Sequence, residues 1–286
     1  MIAGLSEPPP NPYNPPVFLF HGFATILGLI VGSFLNVCIR RVPQGESIVY
    51  PGSRCPVCLT PLQPWENLPL VSYLLLRGRC RSCGEKISWV YPLVEALTGL
   101  SFYLLFARYG PSWAFLVNAV FLCLIVVLVF IDLFERLLPN VFTVGGMVFG
   151  FLAAPLQSPQ IFSAAAVSVP DRILWAHYLD SSLGLLIGGG FLWAVAKAYF
   201  RLRKVQGMGF GDIKMMGMVG AFIGWQLAWL TILIGSLLGA VIGSAYMLVK
   251  GEGRGYELPF GTFLGAGAVI SLFWGRELLR LYFLLF

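Results

Sequence analysis

Charge is what this sequence has least of. Only 11% of its 286 residues are Asp, Glu, Lys or Arg, against roughly 25% in an ordinary soluble domain. With 58% hydrophobic residues, too little polar surface remains to cover a water-soluble core. That excludes a soluble enzyme and a disordered tail as the basic plan. Histidine is scarce as well. His21 and His177 stand far apart, so a Ser-His or Cys-His nucleophile has no partner placed for it. No basic stretch precedes the first apolar run and no Ala-x-Ala follows it, so no cleaved signal peptide is expected. No Gly-x-Gly-x-x-Gly follows a strand-like run, which excludes a Rossmann cofactor site. No internal repeat is visible.

What the chain does have is long apolar runs. About 20 apolar residues cross a bilayer as a helix. Eight stretches fit, at approximately 17–39, 91–107, 113–131, 141–156, 181–200, 213–224, 227–249 and 260–274. The expected class is therefore an all-α polytopic membrane protein with about eight transmembrane helices. The sixth stretch is short and rich in glycine, and a helical hairpin with a re-entrant piece is the alternative there. Residues 1–16 are rich in Pro and Asn and are expected to form an irregular tail. Residues 17–39 form the first span, 40–90 a polar loop, and 91–286 a second membrane unit. The stretch 157–180 is expected as an external loop, in part helical.

The net charge is +6, but its placement argues against nucleic acid. The basic residues sit in short loops between apolar runs. With the N-terminus outside, almost all of them face the cytoplasm; only Arg108, Arg172, Arg276 and Arg280 face out. That asymmetry is the positive-inside signature. It puts both termini outside and the loop 40–90 in the cytoplasm.

That loop carries two Cys-x-x-Cys pairs, Cys55/Cys58 and Cys80/Cys83, with 21 residues between them. The gap slightly exceeds the usual zinc-ribbon spacing. Each pair still makes a tight turn that aims two thiolates at one ion. Four thiolates close a tetrahedral, structural zinc site, and cysteines in a reducing compartment favour metal over disulfide. The alternative is two redox or incidental pairs. Cys38 and Cys123 lie in apolar runs and read as packing residues.

Acidic residues at the ends of apolar runs are few. Asp132 ends the third run and Asp212 opens the sixth, within Gly207-Met-Gly-Phe-Gly-Asp-Ile-Lys214. The topology puts both at the cytoplasmic edge, where an ionisable group is costly and marks a functional site. Two neighbouring carboxylates share one proton. The ionised member can take a proton from water while the neutral one donates to a scissile carbonyl oxygen. Which aspartate starts protonated is left open by the sequence. Glycines 207, 209 and 211 permit close approach of an extended substrate. Lys214 could steady a carboxylate or simply snorkel. Taken singly, either acid could be a solvated cap, and Asp132 could pair with Arg136 four residues on.

Gly209-Phe-Gly-Asp212 is a Gly-x-Gly-Asp motif, and Asp132-Leu-Phe-Glu-Arg-Leu-Leu-Pro-Asn140 accompanies it. With Gly32-Ser-Phe-Leu-Asn-Val37, Pro51-Gly-Ser-Arg-Cys55, Glu66-Asn-Leu-Pro69, Leu76-Arg-Gly-Arg-Cys80, Tyr91-Pro-Leu-Val-Glu95 and Leu258-Pro-Phe-Gly261, the chain closely resembles the type IV prepilin peptidases. These are bifunctional leader peptidase/N-methyltransferases, and the likeness covers nearly all of 17–275. It implies an aspartic endopeptidase with Asp132 and Asp212 as catalytic residues. The substrates it implies are prepilins or type II secretion pseudopilins, cut where a basic leader meets a membrane helix. It also implies methylation of the new N-terminus from S-adenosylmethionine. The family often has Pro where this chain has Thr262.

A cofactor pocket must come from the loop and the adjoining helix ends. Glu46, Glu66, Asn67, Arg77 and Glu95 are the candidates, since carboxylates suit ribose hydroxyls or a cation. Anionic membrane lipid is an expected partner in presenting the basic leader. Three other readings compete. One is a peptidase without methyl transfer. Another is a proton-coupled carrier using the two aspartates, though carriers usually place such groups near the midplane at a repeat interface. The third is a membrane-anchored zinc scaffold, which leaves the aspartate motif unexplained.

Overall fold

The computed structural model describes residues 17–157, 174–205, 207–250 and 259–285. The expected tail at 1–16 and most of the expected external loop, 158–173, lie outside them. The described chain is helical, with no strand among the described residues. In order the helices are α1 (Val17–Arg41), α2 (Val71–Leu75), α3 (Val90–Tyr109), α4 (Trp113–Glu135), α5 (Asn140–Leu152), α6 (Leu174–Arg203), α7 (Phe210–Lys250) and α8 (Phe260–Leu285). Among the described residues, α1, α3, α4, α6 and α7 are long and apolar enough to cross a membrane. Helix α5 is apolar but has only 13 residues. Helix α8 begins apolar and carries Arg276, Glu277 and Arg280 toward its end.

Helix α4 is the axis of the bundle. The Ser112 side chain caps its start by accepting from Phe115 N at 3.2 Å, which satisfies one orphan N–H of the first turn. Phe121, Ile125, Leu128 and Ile131 on this helix are fully buried. Helices α1, α3, α5 and α8 all pack against it. It ends at Arg136, whose φ of 52° is left-handed and whose N–H donates to Asp132 O at 3.0 Å. Pro139 then enforces an extended turn before α5 starts at Asn140.

Helix α7 joins two stretches that the sequence separates. The join is Gly224, with φ 77° and ψ 174°, a conformation that L side chains rarely adopt. Trp225 N donates to Asp180 Oδ1 at 3.4 Å, so α6 supplies a cap for the second half of α7. The chain reverses at this point. A Cβ on Gly188 would meet both Met216 O and the Ala228 side chain, so residues on either side of the break share one level of α6. Likewise Gly211 and Asp212 at one end of α7, and Gly239 near the other, all approach the neighbourhood of Leu138 and Phe260–Phe263. Helix α6 begins at Leu174, earlier than the expected 181, because the polar Asp180 is buried by these contacts rather than lying in a loop.

Small residues allow the α6–α7 contact. A Cβ on Gly184 would strike Gly220 O, and one on Gly220 would strike Gly184 O. Such glycines let two backbones touch where apolar burial supplies no drive. Elsewhere the outer surface is apolar: Phe18, Phe23, Ile26 and Ile30 of α1 are exposed, as are Trp274, Leu281 and Leu284 of α8. A water-facing protein does not present such a belt, whereas lipid tails accept it. At one end of the bundle Arg108 of α3 pairs with Glu277 of α8 at 3.5 Å and donates to Phe273 O. At the opposite end Cys38, Val94, Phe130 and Ile131 pack together, which sets the loop after α1 beside the end of α4.

Candidate active site

Asp132 lies in the last turn of α4 and is 5% exposed; Asp212 lies in the first turn of α7 and is 7% exposed. Eighty residues of sequence separate them, and the fold-back of α7 brings them together at the start of α8. The measure of their closeness is Gly261. A Cβ built there would lie 3.0 Å from Asp132 Oδ2 and 3.1 Å from Asp212 Oδ1. The two carboxylate oxygens are therefore no further apart than those two distances laid end to end. At that range two like charges act on each other directly.

Local sequence explains the approach. A Cβ on Gly211 would fall 2.9 Å from the Leu138 side chain, so only glycine lets the start of α7 lie against the turn after α4. Asp212 N donates to Gly209 O at 3.2 Å, which winds the glycine segment into the helix. Lys214 Nζ donates to Asn140 Oδ1 at 2.6 Å and sits 5.1 Å from the Phe210 ring centre. It thus ties the two aspartate-bearing segments together instead of contacting either carboxylate. Asp132 Oδ2 accepts from Thr262 N at 2.7 Å and from Thr262 Oγ1 at 3.0 Å.

A second site lies under the loop. A cavity of about 310 Å³ is bounded by the end of α1, the start of α3 and the loop between them. Of the residues singled out in the sequence, it gathers Glu66, Asn67 and Glu95; Glu46 and Arg77 are outside its lining. Glu66 accepts from Gln63 N at 2.7 Å and pairs with Arg81 at 3.0 Å. Arg81 also stacks 5.3 Å from the Trp65 ring centre. Glu95 accepts from Leu70 N at 2.9 Å, fixing α2 against α3. Tyr73, Tyr91 and Asn36 complete much of the wall, and Asn36 donates to Tyr91 O at 3.1 Å.

The four loop cysteines form one cluster, with their sulfurs all within 4.8 Å of one another. Each pair sits in the same turn. Leu59 N donates to Cys55 O, and Gly84 N donates to Cys80 O in the matching position. Leu59 (φ 58°) and Gly84 (φ 72°) both take the left-handed conformation that closes it. Cys55 Sγ is 3.8 Å from Cys83 Sγ, and Cys58 Sγ is 4.0 Å from Cys80 Sγ. A tetrahedral ion with bonds of about 2.3 Å needs sulfurs about 3.8 Å apart, so the cluster can hold a metal. Hydrogen bonds with the Thr60 hydroxyl and backbone bring the Cys58 thiol down to about 6, which favours the thiolate that metals bind. Cys83 takes the Glu85 N–H, yet burial and the other three sulfurs push its thiol up to about 12. Four thiolates stand together only with a cation among them.

Two groups escape a reading of the sequence. Thr262 is one, and its only signal is the departure from Pro after Pro-Phe-Gly. The aromatic and amide wall of the cavity is the other. Tyr91 and Asn36 fall inside quoted motifs, but nothing in the chain's order shows that they face one space.

Comparison with known proteins covers most of the chain. Residues 26–109 match the bacterial peptidase A24 N-terminal domain, and residues 119–244 match the type IV leader peptidase family. The prepilin leader peptidase/N-methyltransferase of Aeromonas hydrophila is 33% identical over 293 residues, spanning 93% of this chain and 94% of the relative. The protein of that name from Pseudomonas putida is 34% identical over 281 residues, spanning 91% and 92%. That from Myxococcus xanthus is 39% identical over 235 residues, spanning 82% of this chain and 65% of the relative. No solved structure matches.

Proposed function

The chain belongs to the type IV leader peptidase family, and from that premise we propose that it removes the leader of a type IV prepilin or type II secretion pseudopilin and then methylates the new N-terminus. The observation that carries the reading is the meeting of Asp132 and Asp212 against Gly261. In the reaction, one carboxylate takes a proton from water as its oxygen attacks the scissile carbonyl. The other donates a proton to the carbonyl oxygen. When the tetrahedral intermediate collapses, the C–N bond breaks and the amine leaves with a proton from the pair. General acid–base transfer of this kind contributes about 10²–10⁴-fold in rate.

The chain is a multi-pass membrane protein. We assign eight crossings, counting α7 as two, with both termini outside and the loop 42–89 in the cytoplasm of the bacterial inner membrane. The reversal at Gly224 and the bias of basic residues support this. The substrate's polar leader would then meet the aspartates where its membrane helix begins, and anionic lipid would hold its basic residues nearby.

We assign zinc to the cysteine cluster and S-adenosylmethionine to the cavity. The sulfur spacing fits the first. The second is supported by two carboxylates, Glu66 and Glu95, beside tyrosines in a space of suitable size. When bound, S-adenosylmethionine supplies an electrophilic methyl group. Glu95 and Glu66 would orient its cationic and hydroxyl groups, and a carboxylate of this wall would accept the proton lost by the substrate amine. Glu46 and Arg77 are left to the surrounding surface. Cleavage of a prepilin in ¹⁸O-water with a labelled methyl donor tests the whole assignment. One ¹⁸O in the leader's new carboxylate and one labelled methyl on the mature N-terminus are expected. An intact leader, or a mature product without label, contradicts the corresponding half.

A further inference from the structure

Of the groups around the aspartates, Thr262 makes the most specific contact. It stands in the first turn of α8, where backbone N–H groups lack helical partners. Its N–H donates to Asp132 Oδ2 at 2.7 Å, and its hydroxyl reaches the same oxygen at 3.0 Å. The hydroxyl has a single hydrogen. Its other acceptor, Val129 O, is further away at 3.4 Å, so the carboxylate is the better partner. Both donors thus converge on one oxygen. Oδ1 of Asp132 takes no hydrogen bond among the described residues. Next to Thr262, Gly261 lets the α8 backbone lie against both carboxylates.

We propose that Thr262 is a positioning residue for hydrolysis: it pins Oδ2 of Asp132, sets the plane of that carboxylate toward Asp212, and leaves Oδ1 as the oxygen that exchanges a proton with water. The inference rests on the aspartate pair being the hydrolytic site. An unpinned carboxylate would rotate about its terminal torsion, which is broad, and spend less time aligned with its partner. The effect falls on the chemical step, because Thr262 acts through Asp132 rather than on the substrate.

The test uses the full-length protein in detergent with a prepilin. Thr262→Val keeps the N–H and the shape but loses the hydroxyl. Thr262→Ala is a second hydroxyl-free variant, and Thr262→Ser restores the donor. Val and Ala should lower kcat about 10-fold or more with KM unchanged, the scale of one hydrogen bond to a charged group. Ser should recover most of the loss. Methylation of an already cleaved substrate should stay at the wild-type rate in every variant, which reports intact protein. Wild-type kcat in Val and Ala, or failure of Ser to rescue, overturns the proposal. Asp132→Asn and Asp212→Asn run alongside. If either of these cleaves normally, the aspartate reading itself fails; if both are inactive while Val is unimpaired, only the role of Thr262 fails.

Discussion

At the scale of single residues, one missing methyl group governs the site. Alanine at position 261 would bring its Cβ to 3.0–3.1 Å from both carboxylates, tighter than carbon normally comes to oxygen. The pair must spread by a few tenths of an ångström. Since a 1 Å misplacement costs on the order of 100-fold, a shift of a few tenths of that means Gly261→Ala should lower kcat for cleavage by several-fold, up to about 10-fold. Methylation of a pre-cleaved peptide should be untouched, and a rate assay on both substrates checks this. Asp132 and Asp212 were legible in the sequence because acids are rare beside apolar runs and these two carry a recognisable motif. Thr262 was not, because a hydroxyl beside a membrane helix is ordinary until its partner, 130 positions away, is known.

At the scale of elements, the aspartates meet because α7 turns back on itself and its glycine face presses against α6. Gly184 and Gly220 each occupy the space that the other's side chain would need. Gly184→Leu should therefore part the two helices, and overpacking of this kind costs about 1–3 kcal/mol. The expected result is a lower unfolding midpoint in detergent together with slower cleavage; an unchanged midpoint would show that the contact is dispensable. The apolar runs announced the helices, since 20 apolar residues have few other fates. They did not announce the start of α6, because Asp180 read as the end of an external loop. Only the fold reveals that Asp180 caps a broken partner helix at Trp225 and that Ser181 donates to Ala221 O at 2.8 Å.

At the scale of the whole molecule, the two sites use different parts of the chain. The aspartates are held by α4, α7 and α8. The cavity is walled by α1, α3 and the loop, with Cys55 and Cys80 in its lining. Between them lies packed apolar material, including Val94, Phe130 and Ile131. A small loop of this kind would draw much of its folding free energy from a metal bound by the four cysteines. Chelation, or Cys80→Ser, should consequently unfold the loop and abolish methyl transfer, while cleavage falls far less. Equal loss of both activities would show that the loop also supports the aspartate end. The spacing of the cysteines made their clustering legible in the chain. The cavity beneath it was not, since its walls come from the end of α1, the loop and the start of α3, which the order of the chain does not show facing one space. The most direct test of the account is to present a prepilin to the wild type, Asp132→Asn and Asp212→Asn and weigh the products. The account predicts mature pilin from the wild type alone, with both variants folded and still able to methylate a pre-cleaved substrate. Full cleavage by either variant would contradict it.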